Sequence, residues 1–171
     1  VMASAILKPL AEVGATIHMV AHAFGKITLF FAAGAIYTAA RKTELVQLRG
    51  IGRRMPITMT AFTIGALSMI GVPPTAGFVS KWYILAGAFQ ADNYIALATI
   101  VASTALNAAY FLPIVYWGWF GQDTTPPGKE HGEAPLTILL ALATTAALTI
   151  AFFVYSAPVY ELEAQLVKVQ P

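Results

Sequence analysis

Residues 56–90 read Pro56-Ile-Thr-Met-Thr-Ala-Phe-Thr-Ile-Gly-Ala-Leu-Ser-Met-Ile-Gly71-Val-Pro73-Pro74-Thr-Ala-Gly77-Phe-Val-Ser80-Lys81-Trp-Tyr-Ile-Leu-Ala-Gly-Ala-Phe-Gln90. The first half is an apolar helix over 56–72, opened by Pro56, a favoured first-turn residue. Gly71, Pro73, Pro74 and Gly77 then interrupt it. Each proline removes a backbone donor and clashes with the preceding turn, and the glycines take dihedrals that other residues resist. The pattern predicts that the helix resumes at about Phe78 and runs to Gln90. That second piece is roughly 20 Å long, too short to cross about 30 Å of hydrocarbon alone. The stretch therefore reads as one discontinuous membrane span. Broken backbone at that depth is tolerated only where protein covers it or a wet cavity adjoins it.

The flanking sequence fits that reading. Of 171 residues, 58% are hydrophobic and 11% charged, and mean hydropathy is +0.70. Soluble domains carry about 25% charge, so this chain has too little polar surface to meet water all round. The expected fold is all-α, a polytopic transmembrane helix bundle. Its expected spans are about 13–39, 56–90 (broken near 71–77), 95–120 and 135–157. Pro9 and Glu12 read as a short turn, and residues 1–7 as the tail of an earlier span, so that 1–171 is part of a longer transmembrane domain. Pro113 predicts a kink. Tyr116, Trp117 and Trp119 read as an interfacial aromatic cluster, and the tail 158–171 as an amphipathic helix along the interface.

The connection 40–55 holds Arg41, Lys42, Arg49, Arg53 and Arg54 against Glu44 alone. By the positive-inside bias this loop is cytoplasmic. Alternation then puts 91–94 outside, 121–134 inside and the C-terminus outside, in a cell (inner) membrane. The net charge of +2 is too small and scattered for a nucleic-acid surface. There is no cysteine, hence no disulfide or thiolate metal site. No phosphate loop, ligand-spaced cluster or nucleophile motif is present, so no cofactor, metal or catalytic site is expected.

The chemistry is in the spans. His18, His22 and Lys26 recur every four residues. On a helix they fan over about 80° and rise roughly 12 Å, in a stripe continued by Gly14, Phe30 and Gly34. Intramembrane ionisable groups are expensive and by default mark a functional site. Histidine changes charge in the physiological range, and bridging waters between turns would make the row a proton path. The alternative is a histidine bonded to a neighbouring carbonyl. Burial disfavours the charged lysine and a nearby carboxylate would restore it, yet no Asp or Glu sits inside any expected span, so such modulation would have to come from a partner segment. That lack also makes these spans fit for protons and unfit, alone, for sodium. Lys81, just past the break, faces two opposed fields. The resumed half-helix repels a cation at its N-terminus, while the carbonyls ending the first half attract one. Snorkelling to an interface is the other reading for Lys81. Ser103, Thr104 and Asn107 read as interhelical glue, and His131 as a solvated loop residue.

His18-x3-His22-Ala-Phe-x-Lys26, then Gly50-x-Gly52-x-x-Met55-Pro56, then Gly71-Val-Pro-Pro-x-x-Gly77-Phe-x-Ser80-Lys81 resemble, in order and spacing, the antiporter-like membrane subunits. These are shared by Mrp-type Na⁺(K⁺)/H⁺ antiporters, complex I and membrane hydrogenases. The likeness runs over about 13–120, and Lys81-Trp82 is more similar to the D-type subunits of the Mrp antiporters than to complex I subunits. It implies about fourteen helices in two inverted five-helix repeats, of which this chain resembles the C-terminal one. It further implies that His18, His22, Lys26 and Lys81 lie on a proton pathway. The implied function is a proton-translocating subunit of a monovalent cation/proton antiporter. Its partners would be other membrane subunits, H⁺ with Na⁺ or K⁺, and the bilayer, with no nucleic acid. The alternatives are a non-redox pumping subunit of an NADH-quinone oxidoreductase or hydrogenase, and a non-conducting membrane scaffold. Gly25 departs from the bulky residue usual in relatives.

Overall fold

A computed structural model of the chain describes residues 8–123 and 132–157, with residues 6 and 161. The readings of residues 1–7, His131 and the tail 158–171 fall essentially outside the described residues. The fold is an all-helical bundle. Helix α1 spans Pro9–Ala40, short 3₁₀ turns cover Leu45–Leu48 and Ile51–Arg53, α2 spans Pro56–Ile70 and α3 Ala76–Gln90. Helix α4 spans Tyr94–Phe120 and α5 Leu136–Val154. Helices α1, α4 and α5 are long and apolar enough to cross a membrane. Helices α2 and α3, at 15 residues each, are roughly 22 Å long and fall short singly.

Several boundaries differ from the expectation: α2 ends at Ile70 rather than 72, and α5 spans Leu136–Val154 within the expected 135–157. Helix α1 begins at Pro9 rather than 13, because proline belongs at the first helical position and Glu12 in the first turn suits the helix dipole. Helix α3 resumes at Ala76 rather than Phe78. Thr75 caps it in extended conformation, its hydroxyl tied to the Val72 carbonyl at 2.6 Å. Helix α4 runs through Pro113 without interruption.

Helix α1 is the spine, and small residues let its neighbours approach. Its buried face runs Gly14, Ile17, Ala21, Gly25, Thr28, Ala32 and Ala35, in steps of three or four along one side. Near its start it lies on α3, where a Cβ on Gly14 would stand 2.8 Å from the Ile84 backbone nitrogen. Further along it lies on α2, with Leu29 against Gly65.

The apolar interior divides into two. One core gathers Ala32, Ile36, Ile51, Met55, Met59 and Leu142 at the end carrying the basic loop. The other gathers Ala11, Ile84, Ala88, Ala96 and Ile100 at the opposite end.

At the loop end, segments distant in sequence converge. Gly50, at φ 71°, donates its N–H to the Trp117 carbonyl at 3.0 Å, the Arg49 guanidinium lies 4.4 Å from the Trp117 ring centroid, and Arg54 pairs with Asp123. Trp119, read from the sequence as interfacial, has a partner within the bundle. It is half-buried and its indole N–H donates to Thr63 Oγ1 of α2 at 3.1 Å, in space left by Gly52, which faces its ring.

Glu133 closes the same end. Its carboxylate accepts the backbone N–H groups of Ile57 and Thr58 at 2.6 and 3.3 Å and the Thr58 hydroxyl at 2.6 Å. Pro56 has no N–H to offer, so a remote acid caps the donors that α2 leaves open. Glu133→Ala is expected to cost about 1–2 kcal/mol, and Glu133→Gln less, read as thermal unfolding of the purified protein in detergent.

Candidate functional site

Between the two apolar cores lies a polar layer, assembled where α2 stops and α3 begins. Helix α2 ends in Gly71, at φ 88°, a left-handed conformation that glycine takes without strain. The cis Pro73-Pro74 pair follows. Helix α3 then comes so close to the last turn of α2 that a Cβ on Gly77 would overlap the Ser68 carbonyl. The Gly77 N–H donates to Ser68 Oγ at 3.3 Å. The break does not space the half-helices apart; it backs one onto the other.

Lys81 occupies this junction. A helical side chain leans toward its own N-terminus, so from the second turn of α3 the lysine reaches the end of α2. Its Nζ donates to the Met69 and Ile70 carbonyls at 3.1 and 2.7 Å and to Thr104 Oγ1 of α4 at 3.0 Å. Its stem packs against Gly71, whose missing Cβ would stand 2.7 Å from Lys81 Cδ. Of the two fields that oppose each other at this lysine, the carbonyl end of α2 prevails, because it is in direct hydrogen-bond contact. The dipole of α3 fades beyond its first turn. Asn107 Nδ2 also donates to the Met69 carbonyl, at 3.3 Å. Thr104 and Asn107 do link helices, but their partners are the lysine and the broken helix end.

One residue before Lys81, Ser80 faces the other way and is fully buried. Its hydroxyl donates to the Gly77 carbonyl at 3.0 Å and meets His18 Nδ1 of α1 at 2.9 Å. A hydroxyl has one proton. With that proton on Gly77, His18 Nδ1 is the donor and Nε2 the unprotonated nitrogen of the neutral ring. The His22 ring centroid lies 5.5 Å from that of His18. The four-residue stripe turns gradually out of the bundle. Gly14 is buried against α3, His18 and His22 are half-buried, and Lys26 is exposed. Phe30 is 69% exposed, and Gly34 has open space where a Cβ would be.

Lys26 makes no hydrogen bond or ion pair with another described residue. It lines a cavity of about 410 Å³ between α1, α2 and α4, whose walls include Phe30, Phe62, Met69, Tyr110 and Phe111. Met69 belongs to both places: it walls the cavity of Lys26, and its carbonyl receives Lys81. The structure thus forms two hydrogen-bonded groups at the break, His18 with Ser80 and Lys81 with Thr104, Asn107 sharing the Met69 carbonyl with the lysine, while His22 lies beside His18 and Lys26 on the adjoining cavity. Glu12, in the first turn of α1, is the only carboxylate within the five helices. Among the described residues no three His, Asp or Glu side chains cluster as a metal site.

Ser80 was readable as a partner only through its place one turn after Gly77. Nothing in the sequence pairs Thr104 with Lys81.

Residues 1–107 match the family described as NADH:quinone oxidoreductase/Mrp antiporter, transmembrane. The chain is 41% identical over 135 residues to NADH-quinone oxidoreductase subunit N of Desulforudis audaxviator, covering 79% of this chain and 27% of that one. It is 29% identical over 166 residues to the D-type Na⁺/H⁺ antiporter subunit of Alkalihalophilus pseudofirmus, covering 97% of this chain and 34% of that one. Its fold superposes on a chain of the Mrp complex from Dietzia sp. with a TM-score of 0.83 at 20% identity, covering 94% of this chain and 38% of that chain. The chain spans between 27% and 34% of the length of these two curated relatives. It belongs to the NADH:quinone oxidoreductase/Mrp antiporter transmembrane family.

Proposed function

We propose that this chain forms part of a proton-translocating membrane subunit of the antiporter type. Protons would pass along His22, His18 and Ser80 to Lys81, with Lys26 joining from its cavity and Gly71, Pro73, Pro74 and Gly77 shaping the break. One observation carries the reading: an ammonium and an imidazole are both hydrogen-bonded to the junction of a broken helix, with no carboxylate beside them among the described residues. A cation kept in such a place at a desolvation cost of several kcal/mol is hard to account for as packing. Hydroxyls and bridging waters can hand protons between these groups.

The first reading of the whole assembly is a monovalent cation/proton antiporter, exchanging H⁺ for Na⁺ or K⁺. Other membrane subunits would be the partners and the bilayer the setting. The Mrp complex fold and the D-type antiporter relative support it. The second reading is a pumping subunit of a quinone-reducing redox complex, favoured by the 41% identity to an NADH-quinone oxidoreductase subunit. In either case the protein would be multi-pass in the cell (inner) membrane, with loop 40–55 cytoplasmic. The loop 121–134 would lie on that same side, a placement supported by the contacts of Gly50, Arg54 and Glu133 across that end.

The test is pH-gradient formation in inverted membrane vesicles carrying the full-length protein in its complex, driven in turn by Na⁺, K⁺ or NADH. Antiport predicts a response to one of the two cations without NADH. A response to NADH alone selects the redox assembly, and no response to any driver rejects proton translocation.

A further inference from the structure

Lys81 Nζ, as an ammonium, has three protons, and three oxygens receive them: the Met69 and Ile70 carbonyls and the Thr104 hydroxyl. These partners are not equivalent to a proton that must leave. A carbonyl oxygen accepts but holds no hydrogen of its own to pass on. A hydroxyl accepts on a lone pair and gives up its own hydrogen. Of the other polar groups at the junction, Ser80 serves His18 and Gly77, and Asn107 meets the Met69 carbonyl rather than Lys81. Thr104 is half-buried on α4.

We propose that Thr104 is the relay through which Lys81 gives up and regains its proton, an inference that rests on the proton-translocation reading above. The step balances. One Nζ–H bond breaks as an H–Oγ1 bond forms, while the original Oγ1–H bond breaks and its proton passes to a water molecule that the assembled complex would hold beside Thr104. Lys81 is left as a neutral amine, and the water as hydronium, which passes the charge onward. The hydrogen now on Oγ1 came from the lysine and points back at the lone pair on Nζ. The two remaining N–H bonds stay on the carbonyls of α2. Thr104 therefore satisfies Lys81 in both charge states, donating to the amine and accepting from the ammonium. The carbonyls do only the latter, so they hold the lysine in place while the hydroxyl exchanges with it.

The experiment uses the full-length protein in its complex, reconstituted in vesicles. Proton movement is followed by a pH-sensitive dye, and the amount of assembled complex is measured for each variant. Thr104→Val keeps the volume and removes the exchangeable hydrogen. Transport is expected to fall about tenfold or more, since positioned proton-transfer groups contribute roughly 10²-fold. Thr104→Ser recovers most of it. Thr104→Ala falls between them, because a water can enter the vacated space and stand in for the hydroxyl. A packing role predicts the reverse order for Ala and Val, since alanine leaves the larger void.

Serine above alanine above valine supports the relay. Should valine fail to assemble, serine above alanine still supports it, and equality of the two overturns it. Valine at the wild-type rate, with Lys81→Ala inactive, overturns the relay and leaves the proton-translocation reading standing. Lys81→Ala at the wild-type rate overturns both.

Discussion

Replacing Lys81 by alanine is expected to stop proton movement while the protein still folds and assembles. Two magnitudes decide between these outcomes. An ammonium in the bundle interior costs several kcal/mol in desolvation, and its hydrogen bonds to Met69, Ile70 and Thr104 contribute roughly 1.5–3 kcal/mol each. The terms nearly cancel. Removing cation and cost together leaves two carbonyls at a helix end, where last-turn carbonyls lack helical partners in any case. Function has no such compensation. Losing a positioned proton-transfer group should lower the rate by about 10²-fold or more. Lys81→Arg sharpens the test, because the guanidinium stays charged. If the lysine served only as a fixed positive charge at the end of α2, arginine would restore transport. As a proton carrier it would not. Dye-monitored proton uptake, normalised to assembled complex, reads both variants.

The largest structural effect is expected at Gly77. A Cβ there would overlap the Ser68 carbonyl oxygen, and no side-chain rearrangement relieves that clash because the obstacle is backbone. Gly77→Ala must push α3 away from the end of α2, and overpacking of this kind costs about 3 kcal/mol. The displacement also lifts Ser80 from His18 and Lys81 from its carbonyls, so transport and stability should fail together. That joint loss differs from Lys81→Ala, where only transport fails. Measuring thermal unfolding of the detergent-purified complex beside vesicle transport separates the two. A Gly77→Ala protein with unchanged melting and unchanged transport would contradict the close backing of the half-helices.

What is legible in the sequence is what is written locally. The Gly71-Val-Pro73-Pro74 run breaks a helix whatever surrounds it, since it removes donors and demands a left-handed turn. The four-residue recurrence of His18, His22 and Lys26 aligns them on any helix. Their unequal exposure follows from the same arithmetic, because each step of four turns a further 40° or so and carries the stripe from the α3 contact toward open surface. Partnerships between elements are less legible. Glu133 caps a helix that begins far upstream of it, and no local pattern announces a cap supplied from another segment. Trp119 carries the composition of an interfacial anchor, yet Gly52 opens a place for its ring inside. Thr104 and Asn107 have the residue types of interhelical glue. Only the packing of α4 across the end of α2 makes Lys81 and the Met69 carbonyl their partners. The opposed fields at Lys81 could not be ranked from spacing, since the outcome depends on where a flexible stem ends.

The central claim is that the imidazole on α1 and the lysine on α3 belong to one proton path that crosses the broken helix. The measurement that tests it most directly is a double-mutant comparison of proton uptake in vesicles, using His18→Phe, Lys81→Ala and the two combined in the assembled full-length protein. Groups acting in series fail as a unit, so their effects do not add. The account predicts that His18→Phe alone lowers uptake strongly and that the double variant is no slower than Lys81→Ala. Uptake by His18→Phe at the wild-type rate would contradict it.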